Sequence, residues 1–447
     1  MRTPTRRAPL DGGPGELPQP AVPAEPEEPA GAVEPGPPSL WRSRDYLGLW
    51  TGDAVSSLGT SMSAIAYPLL VLFATGSVAD AGIITAANML GALLTTLWGG
   101  ALADRVSRKV LLVVSPLIQA GAVGTVAVLV GRGYTPIPLL AAAAAASGLA
   151  GGVRNAARTP AMRRVVPKEQ MAVASSQVQG RDMAAQFFGS PLGGLLFSVA
   201  RWLPFGADAA SFLFSSLGAA LIRRPLGPDP AEDPAQRRSL TGDVREGLRY
   251  VARVPFLRFV ATWTPVVNMI AGAYFLLFIA MLRYRGAGPT AIGLVNSIAL
   301  VGGVTGAVIG PRLLKRLGAK PLFLAGGWIF TSAAVLTAVL PAPWEIGCAV
   351  FLVMLAVVPL NAALEAYQVR LVPDAFSGRV SAVVGFGAQA LQWVGPLVAG
   401  VLADAYGPPH AMLLVAAALV PIAVIPHLTR SLALLDTPVE EVSEHHL

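Results

Sequence analysis

The sequence predicts an all-α membrane protein, with twelve transmembrane helices in two pseudo-symmetric six-helix bundles. Three observations predict it. The 447 residues are 54% hydrophobic and only 13% charged, roughly half the charged fraction of a soluble domain. From Trp41 onward long apolar runs alternate with short polar breaks, and about 20 apolar residues cross a bilayer as a helix. A fourteen-residue segment also recurs, once in each half of the chain. A soluble enzyme is close to excluded.

Residues 1–41 stand apart: the first forty hold eleven prolines, a basic start and an acidic middle. Such a segment cannot bury enough apolar surface to fold and is expected as a disordered cytoplasmic tail. Candidate spans follow at 47–73, 79–103, 109–131, 136–157, 171–199, 204–222, 258–282, 290–311, 321–341, 344–366, 377–403 and 409–428. The expected organisation is a bundle at 42–222, a linker at 223–257, a second bundle at 258–428 and a cytoplasmic tail at 429–447.

An even number of spans puts both termini on one side, and Lys and Arg choose it. With the N-terminus inside, the inner loops carry Arg105, Arg108 and Lys109; Arg154, Arg158, Arg163, Arg164 and Lys168; and a linker rich in arginine. The outer face has only Arg132, Arg201, Arg283 and Arg285. The positive-inside bias therefore predicts a multi-pass protein of the cytoplasmic membrane with both termini cytoplasmic. It also accounts for the net charge of +7 without nucleic acid. In the linker, Val244, Leu248 and Val251 lie at helical spacing opposite Arg245, Arg249 and Arg253, the pattern of an amphipathic helix on the inner membrane surface.

The repeat supports the division into halves. Residues 154–167, RNAARTPAMRRVVP, align without gaps on residues 360–373, LNAALEAYQVRLVP, with Asn155/Asn361, Ala156/Ala362, Ala157/Ala363, Arg164/Arg370, Val166/Val372 and Pro167/Pro373 identical. Pro191 and Pro396 fall in glycine-rich spans at nearly the same offset.

The most specific motif follows span two: GALADRVSRK, with Gly100, Asp104, Arg105, Arg108 and Lys109. Asp104 is one acid among bases at the expected cytoplasmic mouth, able to pair with arginine or with a facing helix N-terminus, and so to lock one arrangement of the halves. The second half keeps GPRLLKRLGAK, with no acid.

With this motif the chain resembles the major facilitator superfamily, whose corresponding pattern is G-x-x-x-D-R-x-x-R-K. Within it the chain is similar to bacterial secretion-effector exporters, the enterobactin-type siderophore and macrolide efflux proteins, through VSSLGTSMSAIAYPLLV, RRVVPKEQMAVASSQ and LPFGADAASFL. The resemblance implies two bundles rocking about a central cavity. Span five carries Gly189, Pro191, Gly193 and Gly194, one residue short of the family's antiporter spacing G-P-x-x-G-G; span eleven has Gly395, Pro396 and Gly400. Export is favoured over import on this ground, with ordinary small-residue packing as the alternative.

Ionisable residues inside spans are functional candidates: Asp53, Arg181, Asp182, Glu365 and, at an outer end, Asp404. Asp53 is expected to face the cavity and take up a proton. Arg181 and Asp182 are neighbours pointing about 100° apart, an arrangement against simple mutual neutralisation, and Arg154 is expected to snorkel to the interface. Asn88, Gln186, Asn268, Asn296, Asn361, Gln389 and Gln392 serve as cavity lining or as bonds between helices, and Trp263, Tyr274, Phe275, Phe386 and Trp393 as an apolar wall or as packing.

The absence of a P-loop argues against an ATP-driven pump, and one cysteine and four histidines argue against a metal centre. The expectation is a monomeric, proton-coupled exporter of a small hydrophobic or amphipathic molecule such as a drug, siderophore or secondary metabolite. The proton gradient supplies the energy, with no cofactor or metal. An importer of the same fold and a non-transporting sensor or scaffold are the alternatives.

Overall fold

The computed structural model describes residues 39–224, 226–227 and 240–437, with residues 97, 100, 101, 103, 104, 240, 241, 243, 374, 375 and 430 described in backbone alone. The proline-rich tail over 1–38, the start of the linker and the last ten residues lie outside the described residues. Among the described residues there are fourteen α-helices: α1 Arg44–Ala74, α2 Val78–Arg105, α3 Arg108–Gly131, α4 Ile137–Val165, α5 Met171–Val199, α6 Leu203–Ala220, α7 Leu240–Arg253, α8 Pro255–Tyr284, α9 Pro289–Leu317, α10 Ala319–Val339, α11 Pro343–Leu371, α12 Asp374–Ala390, α13 Val394–Tyr406 and α14 Pro408–Leu428.

Local chemistry sets the ends. Ser43 and Ser77 cap α1 and α2 by accepting the backbone N–H of Tyr46 and Asp80. α4 and α11 both stop at Val-Pro, because a residue before proline is pushed out of the helical region. Gly318 and Gly407, at φ +81°, join α9 to α10 and α13 to α14 in turns that few side chains tolerate.

Ten candidate spans are long and apolar enough to cross a membrane among the described residues, with residues 376–406 counted as one. The more polar α5 and the short α6 complete the twelve predicted from sequence. Span eleven is broken at residues 391–393 into α12 and α13. Pro396 has no N–H for the carbonyl of Gln392, and the turn closes instead through Val394 N–H to Leu391 O at 3.0 Å.

The halves repeat one packing pattern. α1–α6, α2–α4, α3–α6 and α1–α5 recur as α8–α14, α9–α11, α10–α14 and α8–α13, and the halves meet through α5–α9 and α2–α13, themselves equivalent pairs. From Leu40 the chain packs as one compact unit. Its apolar core is continuous across the halves at the end bearing the α1–α2 turn, where Leu69, Leu72 and Phe205 share one cluster with Leu277, Phe278 and Met281. At the opposite end it separates into one cluster around Tyr46, Leu111 and Ile222 and another around Leu257, Phe323 and Tyr367.

Two peripheral segments dock on the helices around them. In α7 Val251 is buried, but Val244 and Leu248 are exposed. The helix docks on α12 through Gly247, the stacked Tyr250–Phe376 rings and an Arg379–Glu246 ion pair at 3.0 Å. The start of the C-terminal tail packs back on the second half: Leu432 and Leu435 are buried, Tyr367 donates to Thr437 O at 2.6 Å, and Lys320 pairs with Asp436.

Candidate functional site

α1, α4 and α5 bring two acids and two bases together in the first half. Asp53 Oδ2 lies 2.8 Å from Arg158 Nε and 3.6 Å from Arg181 Nη1. Asp182 receives Arg181 Nη2 at 2.8 Å on Oδ1 and Arg158 Nη2 at 3.5 Å on Oδ2. Ser57 Oγ adds a bond to Asp182 Oδ1 at 3.1 Å, and Arg181 Nη1 reaches Trp50 O at 3.4 Å. Asp53 is 4% exposed and Arg181 7%. Buried charges persist when each is paired and hydrogen-bonded; every charge of this square is paired, and Arg158 Nη2 is the atom that makes no hydrogen bond.

Beside it opens a cavity of about 380 Å³ among α1, α2, α3, α4 and α5, lined in part by Thr60, Asn88, Gln119, Asn155, Arg158 and Asp182. Its walls are as much polar as apolar.

The site differs from the sequence expectation in four respects. Asp53 does not face this cavity; it lies behind Arg158, held by two guanidiniums. Arg181 and Asp182 do neutralise each other in part, because an arginine side chain is long enough to wrap across their angular offset. Arg154 does not snorkel: it is 8% exposed, donates to Ser56 Oγ at 2.7 Å and lies over the Phe212 ring at 5.8 Å. Arg158 was counted with a loop, but α4 continues to Val165 and carries it into the bundle. Tyr274 takes the packing alternative: it is fully buried against Phe330, with its hydroxyl 3.1 Å from Thr337 Oγ1.

Sequence reasoning missed Asp208 altogether. It is 2% exposed on α6, and the signal was available: an acid within the apolar run 204–222.

Of the loop motif, Gly100 and Asp104 lie on α2 and are described in backbone alone, so their predicted contacts fall outside the described side chains. Arg105 is exposed. Arg108 N–H donates to Leu226 O at 3.1 Å and Lys109 Nζ to Ile222 O at 2.7 Å, tying α3 to the chain after α6. Glu365 is exposed and has no ion pair among the described residues.

The glycine–proline segments form the seam between halves. Pro191 deprives Phe187 O of its helical partner, and Ser297 Oγ of α9 supplies a bond at 3.1 Å; Asn296 Nδ2 donates to Ser190 Oγ at 2.8 Å. A Cβ on Gly194 would overlap Pro289 O of α9, and one on Gly400 would crowd Val78 O and Ala79 of α2. Gly189 and Gly193 seat α5 on α1, and Gly395 seats α13 on α8, again by close backbone approach. Asn88 and Asn268 bond Ala144 O and Ala388 O, joining helices as expected of polar residues in spans.

Beyond Gly400, Asp404 crosses the seam. Its Oδ1 accepts from Val78 N–H at 2.8 Å, and its Oδ2 from Ser77 Oγ at 2.7 Å and Ala79 N–H at 3.2 Å. A carboxylate thus sits on the positive N-terminus of α2. Every hydrogen bond between the halves among the described residues lies at this end.

Repeated six-helix halves, joined at one end and separate at the other beside a polar cavity, define a membrane transporter. The chain belongs to the Major Facilitator Superfamily, whose family profile matches residues 49–284 and 266–445. The multidrug efflux pump Tap of Mycolicibacterium fortuitum is 26% identical over 369 residues, covering 78% of this chain and 87% of that protein. The MFS-type transporter Rv0037c of Mycobacterium tuberculosis is 27% identical over 403 residues, covering 84% and 88%. The fold is shared with the nucleoside transporter NupG, at TM-score 0.71, 13% identity, 88% of this chain and 100% of that one. It is shared as well with a bacterial homologue of the human lysosomal transporter Spinster in an inward-facing, unoccupied conformation, at TM-score 0.71, 14% identity, 87% and 98%.

Proposed function

We propose that this protein is a secondary transporter of the cytoplasmic membrane that exports a small amphipathic molecule in exchange for protons. The observation that carries the reading is the asymmetry of the two ends. The halves are latched where α2 meets α13 and α5 meets α9, while the core divides at the other end. The Lys and Arg distribution assigns the latched end to the outside, so the arrangement is open to the cytoplasm, the state in which an exporter loads. A lining that mixes amides, hydroxyls and charges favours an amphipathic substrate over a purely apolar one. Similarity to Tap supports efflux, and the lack of an ATP-binding loop supports an ion gradient as the drive.

Transport in inverted membrane vesicles tests this. Ethidium and a panel of amphipathic compounds should accumulate when the lumen is acid, and a protonophore should abolish accumulation. Accumulation indifferent to the protonophore removes the coupling, and uptake only in right-side-out vesicles reverses the direction.

A further inference from the structure

Asp208 is a buried acid that no guanidinium contacts. Its polar neighbours are the Ser63 hydroxyl of α1 and Ser211 Oγ, the latter 3.3 Å from Oδ1 and already donating to the Asp208 carbonyl at 2.7 Å. Gly59 of α1 leaves the space, since a Cβ there would stand 2.7 Å from Oδ1. On the same face of α1 the Tyr67 hydroxyl is buried without a hydrogen-bond partner. Among the described residues no ion pair reaches this carboxyl.

The charged and titratable groups around it are few. From α1 come Tyr67 and, further along, Asp53; from α4 comes Arg154; from α5 come Arg181 and Asp182, consumed by their pairing with Asp53 and Arg158. α3 packs along α6 but brings charge only in its first turn, where Lys109 holds Ile222 O. Arg154 therefore influences Asp208 through space, and Arg154 is also among the residues lining the cavity.

A carboxyl buried without a countercharge costs far more as the anion than as the acid, whereas Asp53 and Asp182 each lie between two guanidiniums. We propose that Asp208 is the proton-binding carboxyl of this transporter, and that Arg154 relays its charge state to the cavity. The charge balance fixes the sign. Arg154, Arg158 and Arg181 face Asp53, Asp182 and Asp208, so the set is neutral when Asp208 is ionised and carries one net positive charge when it is protonated. A proton arriving at Asp208 raises the positive potential on a wall shared by Arg154 and Arg158 and expels a cation from the cavity. A cationic amphipath is thus the substrate class this site exchanges for a proton, a step that rests on the export reading above; the assignment of the proton to Asp208 does not.

Infrared difference spectra of the purified wild-type protein across pH provide the first test. A protonated-carboxyl band should titrate, persist in Asp53→Asn, Asp182→Asn and Glu365→Gln, and vanish in Asp208→Asn. Absence of a titrating band in the wild type overturns the assignment without any variant, as does a band that survives Asp208→Asn or disappears with Asp53→Asn. If Asp208→Asn cannot be isolated, a band surviving the other three substitutions supports Asp208 by elimination, and one lost in any of them overturns it. The second arm measures ethidium transport in proteoliposomes with and without a pH gradient. The ratio of the two rates should fall to about one in Asp208→Asn, because no proton then distinguishes the two states. A ratio still at the wild-type value overturns the coupling role. A wild-type ratio of about one defeats the export reading and leaves the infrared assignment standing.

Discussion

α4 and α11 descend from the same repeated segment, yet one carries the ions and the other does not. The identical residues do structural work in both: Ala157 and Ala363 are buried at helix contacts, and Val166-Pro167 and Val372-Pro373 end the two helices. The functional difference sits between them. Arg154 and Arg158 align with Leu360 and Leu364, which pack against the apolar cluster of the second half. The first half therefore holds a polar cavity walled by charge, while leucines occupy the matching positions of the second half. Duplication preserved what packs a helix and released what meets the cavity.

The most damaging way to erase this difference is Arg158→Leu, which installs the residue of α11. Asp53 would lose its 2.8 Å partner, and removing one member of a buried ion pair costs about 3–5 kcal/mol. Thermal unfolding in detergent should register the loss. Adding Asp53→Asn should recover part of it, and strict additivity of the two substitutions would deny that they interact.

The seam offers a second comparison, because Gly194 and Gly400 occupy equivalent crossings. Gly194→Val should cost about 1–3 kcal/mol by overpacking, borne by the state in which α5 touches α9. Spin labels replacing Tyr134 and Tyr406, with Cys348 changed to Ser, should report a longer distance across the latched end, and an unchanged distance distribution would show that the crossing tolerates bulk.

The two crossings are unequal at their tips. α13 presents Asp404 to the N-terminus of α2, whereas the equivalent tip of α5 presents only Ser198, 3.2 Å from Thr290 at the start of α9. Asp404→Asn should weaken the latch by about 0.3–1 kcal/mol, the worth of a charge at a helix end. The same label pair should show a smaller shift toward the open distance than Gly194→Val produces; equal shifts would make the charge as important as the close packing. Smallest of all, Glu365→Gln in the second half should change stability by less than about 0.5 kcal/mol and leave vesicle transport rates at the wild-type level, since the side chain is exposed and without an ion pair among the described residues.

The span count, the repeat and the close-packed glycines were legible in the sequence because each is a local pattern of hydropathy, recurrence or residue size. The ionic site was only half legible. Asp53, Arg181 and Asp182 stood out as charges in apolar runs, but which charge met which depended on how α1, α4 and α5 lie against one another. Arg158 reads as a loop residue in the sequence because arginines at an inner rim satisfy the positive-inside bias wherever the helix ends. Asp208 was passed over within an apolar run, and nothing local to it announces that Gly59 has cleared a space for its carboxyl.

By itself the sequence determined that the chain crosses a membrane many times, which rim is basic, and that its two halves are related, because bilayer thickness and electrostatic bias act on segments one at a time. Tertiary structure alone decided which end is shut, that Asp404 caps the opposite half, and that the acid buried on α6 is left without an ion pair among the described residues. Those facts depend on distances of a few ångströms between helices far apart in the chain, and no periodicity encodes them.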